Sequence, residues 1–311
     1  MAEVCRFAGS SLSRLPLVLI ELITEYTLRS WQKYTMKKPA AGRLHVGASF
    51  CTFDSKRGHL WISWYDGHLD AWSVATGEFV LHAGNLGAHS AMYVVETDRI
   101  YLQARRASAS SNPGQDCIVV LNPETAKVEL SHTVHGYLER SSLMWDSVEH
   151  RLILFSSEGK VLAIAPSGQV NILACYARGV CGASSWSPGW SVLCATPVSG
   201  TVLVTGVNLA SDSASAETKL PFRLWNPEPE RTERLQDIAV CELHSRVYLL
   251  YVNGLLVYDA STRQLLSDFP LPYENSNHRC LAVDSAGGRV FVVAQHRVTS
   301  WESDSVICFS L

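Results

Sequence analysis

The sequence predicts an all-β protein, a six-bladed β-propeller of four-stranded antiparallel blades preceded by one N-terminal α-helix. Short apolar runs, rich in β-branched and aromatic residues, alternate with turn residues from about residue 43 to the C-terminus. The runs recur in six units of about 40 residues, a period that an antiparallel sandwich lacks. A helical pattern precedes the first unit, so we divide the chain into residues 1–42 and 43–311.

The predicted helix extends from Ser13 to about Lys33. Ser13 suits the N-cap, and Pro16 falls in the first turn, where its missing N–H costs little. The segment Lys38–Gly42 breaks the pattern. One apolar stripe recurs mostly at spacings of three and four residues, and it comprises Leu12, Leu15, Leu19, Leu22, Ile23 and Tyr26.

The first unit is the most regular and defines the repeat. Its strands are ASFCTFD from Ala48 to Asp54, HLWISWY, HLDAWSV and a fourth strand that begins at Phe79. Asp66-Gly67 forms the hairpin turn between the second and third strands, because Gly tolerates positive φ and Asp bonds back to its own backbone. Ala75–Glu78 forms the turn before the fourth strand.

Each unit carries an anchor residue that closes its first strand. Most anchors are acidic, and a polar or Gly/Pro-containing turn and a second strand follow each of them. The repeat position indicates that these side chains cap backbone N–H groups of the turn, and a carboxylate cluster is the alternative. The six anchors are Asp54, Glu96, Asp146, Ser187, Glu242 and Asp284.

Two Ser/Ala-rich inserts lengthen the second and fourth units. They comprise Ala104–Asp116 and Asn208–Lys219, and both are predicted between the second and third strands of their units. That position places them at one end of the propeller, where they either form the rim of a binding face or are tolerated surface insertions. Arg105 and Arg106 in the first insert are candidate contacts for an acidic partner, or solvated loop charges.

The last unit is where the ring is predicted to close. The last unit reads as four strands ending at Ser305–Phe309, and Arg43–Val46 is the predicted additional strand at its outer edge. Closure removes sheet edges that otherwise aggregate. Three tryptophans, Trp72, Trp225 and Trp301, are predicted late in third strands, where they pack between blades.

The composition fits a globular protein, with 47% apolar and 18% charged residues. A net charge of −3 gives no support for general nucleic-acid or anionic-membrane binding. Nine cysteines without a Cys-x-x-Cys pair, together with the lack of an Asn-x-Ser/Thr sequon, predict a reducing location, the cytoplasm or the nucleus.

No motif for catalysis or cofactor binding stands out. The sequence has no Gly-x-Ser-x-Gly elbow, P-loop or Gly-x-Gly-x-x-Gly motif. His132 and His135 form the one close histidine pair, without a nearby carboxylate motif, so a surface pair is favoured over a metal site. We therefore predict no catalytic residues, no metal and no cofactor.

The segment YDGHLDAWSVATGEFVLH resembles blades of the WD40, YVTN and quinoprotein-like superfamily. In such blades Asp-Gly opens one hairpin and Thr-Gly-Glu or Thr-Gly-Lys closes the next. The resemblance covers residues 43–311 and implies a propeller. The Gly-His and Trp-Asp signatures of WD40 repeats are missing from most units. Six blades are too few for quinoprotein dehydrogenases, so no cofactor carries over.

The segment Leu15–Tyr26 resembles the opening helix of an F-box, in which Leu-Pro precedes an apolar helix that docks on the Skp1 adaptor. Trp31 roughly suits the later aromatic residue of that motif. The alternative is a helix that packs on the propeller. The resemblance implies that the partner-binding residues are Leu15, Pro16, Leu19, Ile23 and Tyr26.

Together these features predict a non-catalytic intracellular protein–protein interaction scaffold. One alternative is an F-box-like substrate receptor of an SCF-type ubiquitin ligase. A second alternative is a propeller hydrolase, which needs a metal or a ring of carboxylates in the central channel.

Overall fold

The computed structural model describes the propeller with several gaps. The described residues are 31–35, 48–64, 66–105, 116–134, 142–155, 160–175, 182–187, 191–198, 201–207, 222–225, 235–241, 243–252, 254–271, 277–295 and 305–310. Side chains are described for 48–64, 66–104, 116–134, 142–155, 160–173, 235–241, 243–252, 254–271 and 280–293. Within these ranges no helix is long and apolar enough to cross a membrane.

The described strands pair antiparallel into six sheets of four strands each. Sheet 1 contains β2 (Ala48–Asp54), β3 (His59–Trp64), β4 (His68–Ser73) and β5 (Phe79–Asn85). Sheet 2 contains β6 (Ala88–Val94), β7 (Arg99–Arg105), β8 (Asp116–Leu121) and β9 (Val128–Thr133). Sheet 3 contains β10 (Ser142–Asp146), β11 (Arg151–Phe155), β12 (Lys160–Ile164) and β13 (Val170–Cys175).

The second half of the chain repeats this order. Sheet 4 contains β14 (Gly182–Ser187), β15 (Ser191–Val198), β16 (Thr201–Val207) and β17 (Phe222–Trp225). Sheet 5 contains β18 (Leu235–Cys241), β19 (Arg246–Tyr251), β20 (Gly254–Asp259) and β21 (Leu265–Pro270). Sheet 6 contains β22 (Asn277–Asp284), β23 (Arg289–Gln295), β24 (Ser305–Ser310) and the N-terminal β1 (Trp31–Thr35).

The first strands of the six sheets form a ring. β2 contacts β6, and the contacts continue through β10, β14, β18 and β22 back to β2. Each sheet therefore places its first strand innermost and its last strand outermost. The predicted all-β propeller of four-stranded antiparallel sheets is confirmed.

Ring closure differs from the prediction. β1 pairs with β24, from Trp31 opposite Phe309 to Thr35 opposite Ser305. The C-terminal end of the chain therefore supplies three strands of sheet 6, and the fourth is Trp31–Thr35 rather than Arg43–Val46, which lies outside the described residues. The physical reason is that β1 satisfies the backbone N–H and C=O groups along the free edge of β24.

The helix prediction is wrong at its C-terminal end, because residues 31–33 belong to strand β1. Residues 1–30 and 36–47 lie outside the described residues. The helix itself and the division between residues 1–42 and 43–311 therefore stay predictions. The strand β1, which precedes residue 43, belongs to sheet 6 of the propeller.

The core lies between neighbouring sheets, so the inner strands are buried on both faces. β3 and β4 are buried almost throughout, whereas β9 and β21 on the outside are largely exposed. Phe53 of sheet 1 and Phe291 of sheet 6 pack with ring centroids 4.9 Å apart. Apolar packing thus joins the first and last sheets of the ring.

The predicted Asp66-Gly67 turn forms between β3 and β4. Asp66 Oδ1 accepts a hydrogen bond from the His68 backbone N–H at 3.1 Å, as the sequence predicts. Gly67 has a φ of 84°, and a Cβ atom there would lie 3.0 Å from Gly87 Cα. Glycine is therefore required both for its backbone conformation and for its lack of a side chain.

The two inserts leave the propeller at opposite ends, which corrects the predicted shared end. The first lies between β7 and β8 as predicted, although these strands extend to Arg105 and from Asp116. Val198 pairs with Thr201, so β15 and β16 form a tight hairpin that the sequence interpretation missed. The second insert, 208–219, therefore lies between the third and fourth strands of sheet 4. Residues 106–115 of the first insert and the whole second insert are outside the described residues.

The tryptophan predictions are only partly right. Trp72 lies in β4, a third strand, and its ring meets Trp64 at 5.7 Å and Phe79 at 5.9 Å, both within sheet 1. Trp225 ends β17, which is a fourth strand, because the missed hairpin moves every later strand of sheet 4 by one place. Trp301 lies outside the described residues.

Candidate interaction surface

One end of the propeller carries two sets of turns, and we call it the turn face. In a four-stranded antiparallel meander, the turn after the first strand and the turn after the third strand lie at the same end. Backbone hydrogen bonds join the two sets, from Val74 N–H to Gly58 O at 3.0 Å and from Ala260 N–H to Ser245 O at 2.8 Å. The described first-hairpin turns of this face are 55–58, 95–98, 147–150, 243–245 and 285–288.

Three predicted anchors cap these turns. Asp54 Oδ1 accepts hydrogen bonds from the backbone N–H groups two and three residues later, both at 3.1 Å. Asp146 Oδ1 accepts the equivalent pair at 3.2 and 3.3 Å, and Asp284 Oδ1 accepts one at 3.0 Å. The predicted capping role of these three anchors is confirmed.

The second carboxylate oxygen of each cap holds an arginine. Arg57 donates to Asp54 Oδ2 at 3.0 Å. Arg151 Nε donates to Asp146 Oδ2 at 3.1 Å. Arg289 donates to Asp284 Oδ2 through Nε at 2.9 Å and Nη2 at 2.6 Å. In these three turns the opposite charges neutralise each other locally.

The anchors of sheets 2 and 5 are corrected by the register. The residues that close β6 and β18 are Val94 and Cys241, which pair with Arg99 and Arg246. The predicted anchor Glu96 is exposed in the turn beyond Val94, and Glu242 lies outside the described residues. The sequence analysis chose Glu96 and Glu242 because they are acidic, although the residues that close the strands are the nearby Val94 and Cys241.

A charged network joins the turns of sheets 1 and 2. The Arg57 guanidinium donates to both Asp98 oxygens, at 2.7 and 2.9 Å. Lys56 Nζ donates to Asp98 Oδ2 at 2.6 Å, and the Tyr93 hydroxyl donates to Asp98 Oδ1 at 3.0 Å. These donors, Arg57 first, hold the pKa of Asp98 well below its usual range.

Exposed apolar side chains lie at three of the first-hairpin turns. The exposed fractions are 62% for Val95, 53% for Val148 and 67% for Leu243. We call these residues the apolar tips. The other large exposed apolar residues, among those described, lie on fourth strands and are Val80, Val128, Leu130, Ile172, Leu265 and Leu266.

A buried acidic group lies away from the turn face, in the middle of sheet 1. Asp70 accepts a hydrogen bond from Trp64 Nε1 at 3.0 Å, and its other oxygen lies 2.6 Å from His82 Nδ1. The His68 ring stacks on His82 at 5.3 Å. Among the described residues no group of three or more His, Cys, Asp or Glu side chains is arranged to hold a metal ion. Asp70 orients its neighbours and is itself satisfied.

A second carboxyl, which is half-buried, links sheets 5 and 6 near the axis. Asp237 accepts hydrogen bonds from the backbone N–H groups of Ile238 and Leu281, both at 2.8 Å. Burial raises the pKa of Asp237 to about 7. The thiols of Cys51 and Cys280 lie within hydrogen-bond reach of each other nearby, and burial raises the pKa of Cys51.

The predicted partner-binding residues stay a prediction, because none of their side chains is among those described. Arg105 ends β7 with its Cα opposite Asp116, and its side chain is outside the description. Arg106, Leu15, Pro16, Leu19, Ile23 and Tyr26 lie outside the described residues, as does His135. His132, the other member of the histidine pair, lies in β9. The apolar tips were missed, although an apolar residue just after a strand end was a visible signal.

No protein-family model matches the chain, and no curated protein matches its sequence. A structure of U3-55K matches with a TM-score of 0.59 at 12% identity, covering 90% of this chain and 98% of that chain. A crystal structure of the RRP9 WD40 repeats matches with a TM-score of 0.57 at 12% identity, covering 91% and 100%. At this identity the likeness shows the fold alone. That fold is a β-propeller.

Proposed function

We propose that this chain is a non-catalytic protein-interaction scaffold on a six-bladed propeller, and that the turn face is its binding face. The observation that carries the proposal is the set of apolar tips, Val95, Val148 and Leu243, exposed at one end of the ring. Exposed apolar side chains among charged groups are typical of protein-binding surfaces. The cycle of contacts among six first strands supports the six-bladed form.

The charges of the turn face support protein as the partner class. Acidic and basic side chains alternate there, with Asp54, Asp98 and Asp284 beside Arg57 and Arg289. A nucleic acid or an anionic membrane favours a surface of one positive sign. We therefore propose other proteins as partners, with no nucleic acid and no membrane. The free thiols of Cys51, Cys117, Cys241 and Cys280 support a reducing cytoplasmic or nuclear location.

The test compares two triple variants of equal chemistry. One changes the apolar tips, Val95→Ser, Val148→Ser and Leu243→Ser. The matched control changes exposed apolar residues of the fourth strands, Val128→Ser, Leu130→Ser and Ile172→Ser. Proteins captured by the wild-type chain in cells are quantified for all three forms. We expect partners to be lost from the first variant and kept by the control. Equal recovery by both variants would exclude the turn face as the binding face.

A second proposal concerns the N-terminal segment and rests on the Leu-Pro and apolar stripe pattern. In it Leu15, Pro16, Leu19, Ile23 and Tyr26 dock on a Skp1-like adaptor. Because Trp31 lies in β1, it does not extend this helix. Co-purification with Skp1 that is lost in Leu19→Asp is the expected result. Recovery of the wild-type chain without Skp1 would refute this proposal and leave the turn-face proposal unaffected.

A further inference from the structure

We propose that the first-hairpin turn of sheet 5 binds a short acidic segment of a partner protein that also carries an apolar side chain. This inference deepens the proposed function and rests on the turn face being a binding face. It assigns the charge of the partner and the residues that read it, which are Leu243 and Arg246, with Arg263 alongside.

The turn of sheet 5 has the same backbone as the turns of sheets 3 and 6. Its closing pair Cys241–Arg246 corresponds to Asp146–Arg151 and Asp284–Arg289. In each case four residues separate the pair, and the residue before the arginine is left-handed. The φ values are 49° for Ser245, 49° for His150 and 61° for Gly288. The arginines therefore occupy equivalent positions.

Arg246 differs from these equivalents because its acid is missing. Arg151 and Arg289 each hold the aspartate of their own closing pair, but the residue opposite Arg246 is Cys241. Among the described residues Arg246 makes no ion pair and its guanidinium no hydrogen bond. A guanidinium with five donors and no carboxylate is suited to an acidic group from outside.

The nearest acid in the sheet is already engaged. Asp259 lies opposite Arg246 on β20. Its Oδ1 atom accepts hydrogen bonds from Ser261, at 2.9 Å from the backbone and 2.6 Å from the hydroxyl. The same atom accepts from Thr262 at 2.7 and 3.0 Å. These bonds, Ser261 first, lower the pKa of Asp259 to about 2, so it stays charged while capping its own turn.

The surroundings of Arg246 specify the rest of the partner. Leu243 is the most exposed large apolar side chain among those described, and it lies three residues before Arg246. Arg263 lies in the adjoining turn, which the Ala260 N–H to Ser245 O bond holds against this one. An acidic residue at the guanidinium and an apolar residue against Leu243 match this arrangement. Acids elsewhere on the turn face, such as Asp98 and Glu149, disfavour the longer phosphate backbone of a nucleic acid.

The test selects a displayed library of random short peptides against the full chain. We expect the wild-type chain to enrich peptides with net negative charge next to a Leu, Ile or Phe. Enriched peptides should bind roughly fivefold to tenfold more weakly to Arg246→Gln and to Leu243→Ser. Val128→Ser, at an exposed apolar residue of the fourth strand β9, should keep affinity within about twofold. Because Leu243 is exposed, its variant stays informative even if Arg246→Gln impairs folding.

Three outcomes overturn the inference. The first is an enriched pool without negative charge, and the second is equal affinity of the pool for Leu243→Ser and wild type. The third is binding of single-stranded RNA that is lost in Arg246→Gln, since this makes the partner a nucleic acid. If the apolar-tip triple variant loses its cellular partners while the peptide pool shows no charge bias, the turn face remains the binding face, and only the proposed acidity of the partner segment is refuted.

Discussion

Sheets 5 and 6 are neighbours with the same topology, yet they treat their charges in opposite ways. Sheet 6 pairs its turn acid with its turn arginine, Asp284 with Arg289. Among the described residues, sheet 5 has a half-buried acid that pairs with no cation, Asp237, and an arginine that pairs with no acid, Arg246. The fold requires neither arrangement, because the strands and turns are equivalent. The difference indicates that the acid–arginine pair of sheet 6 stabilises the fold. In sheet 5, Arg246 stays available to a partner, and desolvation disfavours the ionised form of Asp237.

The largest expected effect is a pH dependence that originates in Asp237. Its folded pKa of about 7 is above the usual value for an unfolded aspartate, so burial disfavours the ionised form. Stability from this group is complete below about pH 4 and falls as the pH rises to about 7, by on the order of 3 kcal/mol. Asp237→Asn cannot ionise and should lose this part of the pH dependence.

The measurement is urea unfolding of wild type and Asp237→Asn between about pH 4 and pH 8. The difference in unfolding free energy between the two should change steadily across that range in favour of the variant. Glu149→Gln, at an exposed turn acid, is the matched control and should show no such trend. A difference that stays constant with pH contradicts the assignment of a raised pKa to Asp237.

The second effect is the loss of the sheet 6 pair in Asp284→Ala. The change leaves a turn N–H and the Arg289 guanidinium without their acceptor, so we expect destabilisation of about 2–3 kcal/mol. Cys241→Ala at the equivalent position of sheet 5 removes only a buried thiol and should cost about 1 kcal/mol. Equal losses in the two variants would show that the aspartate contributes only its buried volume.

Sheet 1 was predicted closely because its signals are local. β2 begins and ends as predicted, and Gly67 and Asp66 identify their turn by backbone chemistry alone. Ring closure depends instead on pairing Trp31 with Phe309, and no local pattern encodes a partner so distant in sequence. The second insert was misplaced because the turn signal Ser199-Gly200, between Val198 and Thr201, was not used to end β15.

The candidate site was less predictable than the fold. Its distinguishing feature is an arginine that lacks the aspartate found opposite Arg151 and Arg289, and Glu242 beside the closing position made sheet 5 look like the sheets with acidic anchors. The register of Cys241 with Arg246 settles the position, but register is a property of paired strands. An unpaired arginine is visible only once the acids near it have been assigned to other partners, as with Asp259.

The third prediction concerns Cys241→Asp, which gives the turn of sheet 5 the acid–arginine pair found in sheet 6. Cys241→Asp places a carboxylate where Asp284 and Asp146 cap their turns, with Arg246 in register to receive it. The new pair offsets the cost of burying the acid, so stability should stay within about 1 kcal/mol of wild type. The variant should no longer enrich acidic peptides. Retained enrichment of acidic peptides by a folded Cys241→Asp chain counts against Arg246 as the group that reads them.

The smallest effect is expected in the network between sheets 1 and 2, where two cations share Asp98. Lys56 is 61% exposed, and Arg57 already contacts both carboxylate oxygens. Lys56→Ala should therefore cost less than about 0.5 kcal/mol, whereas Arg57→Ala, which also breaks the bond to Asp54, should cost about 1–2 kcal/mol. Thermal unfolding at low and high salt distinguishes the two variants, since salt screens the exposed Lys56–Asp98 pair more than the Arg57–Asp98 pair. A larger loss in Lys56→Ala would mean that the surface lysine, and not the bidentate arginine, joins the two turns.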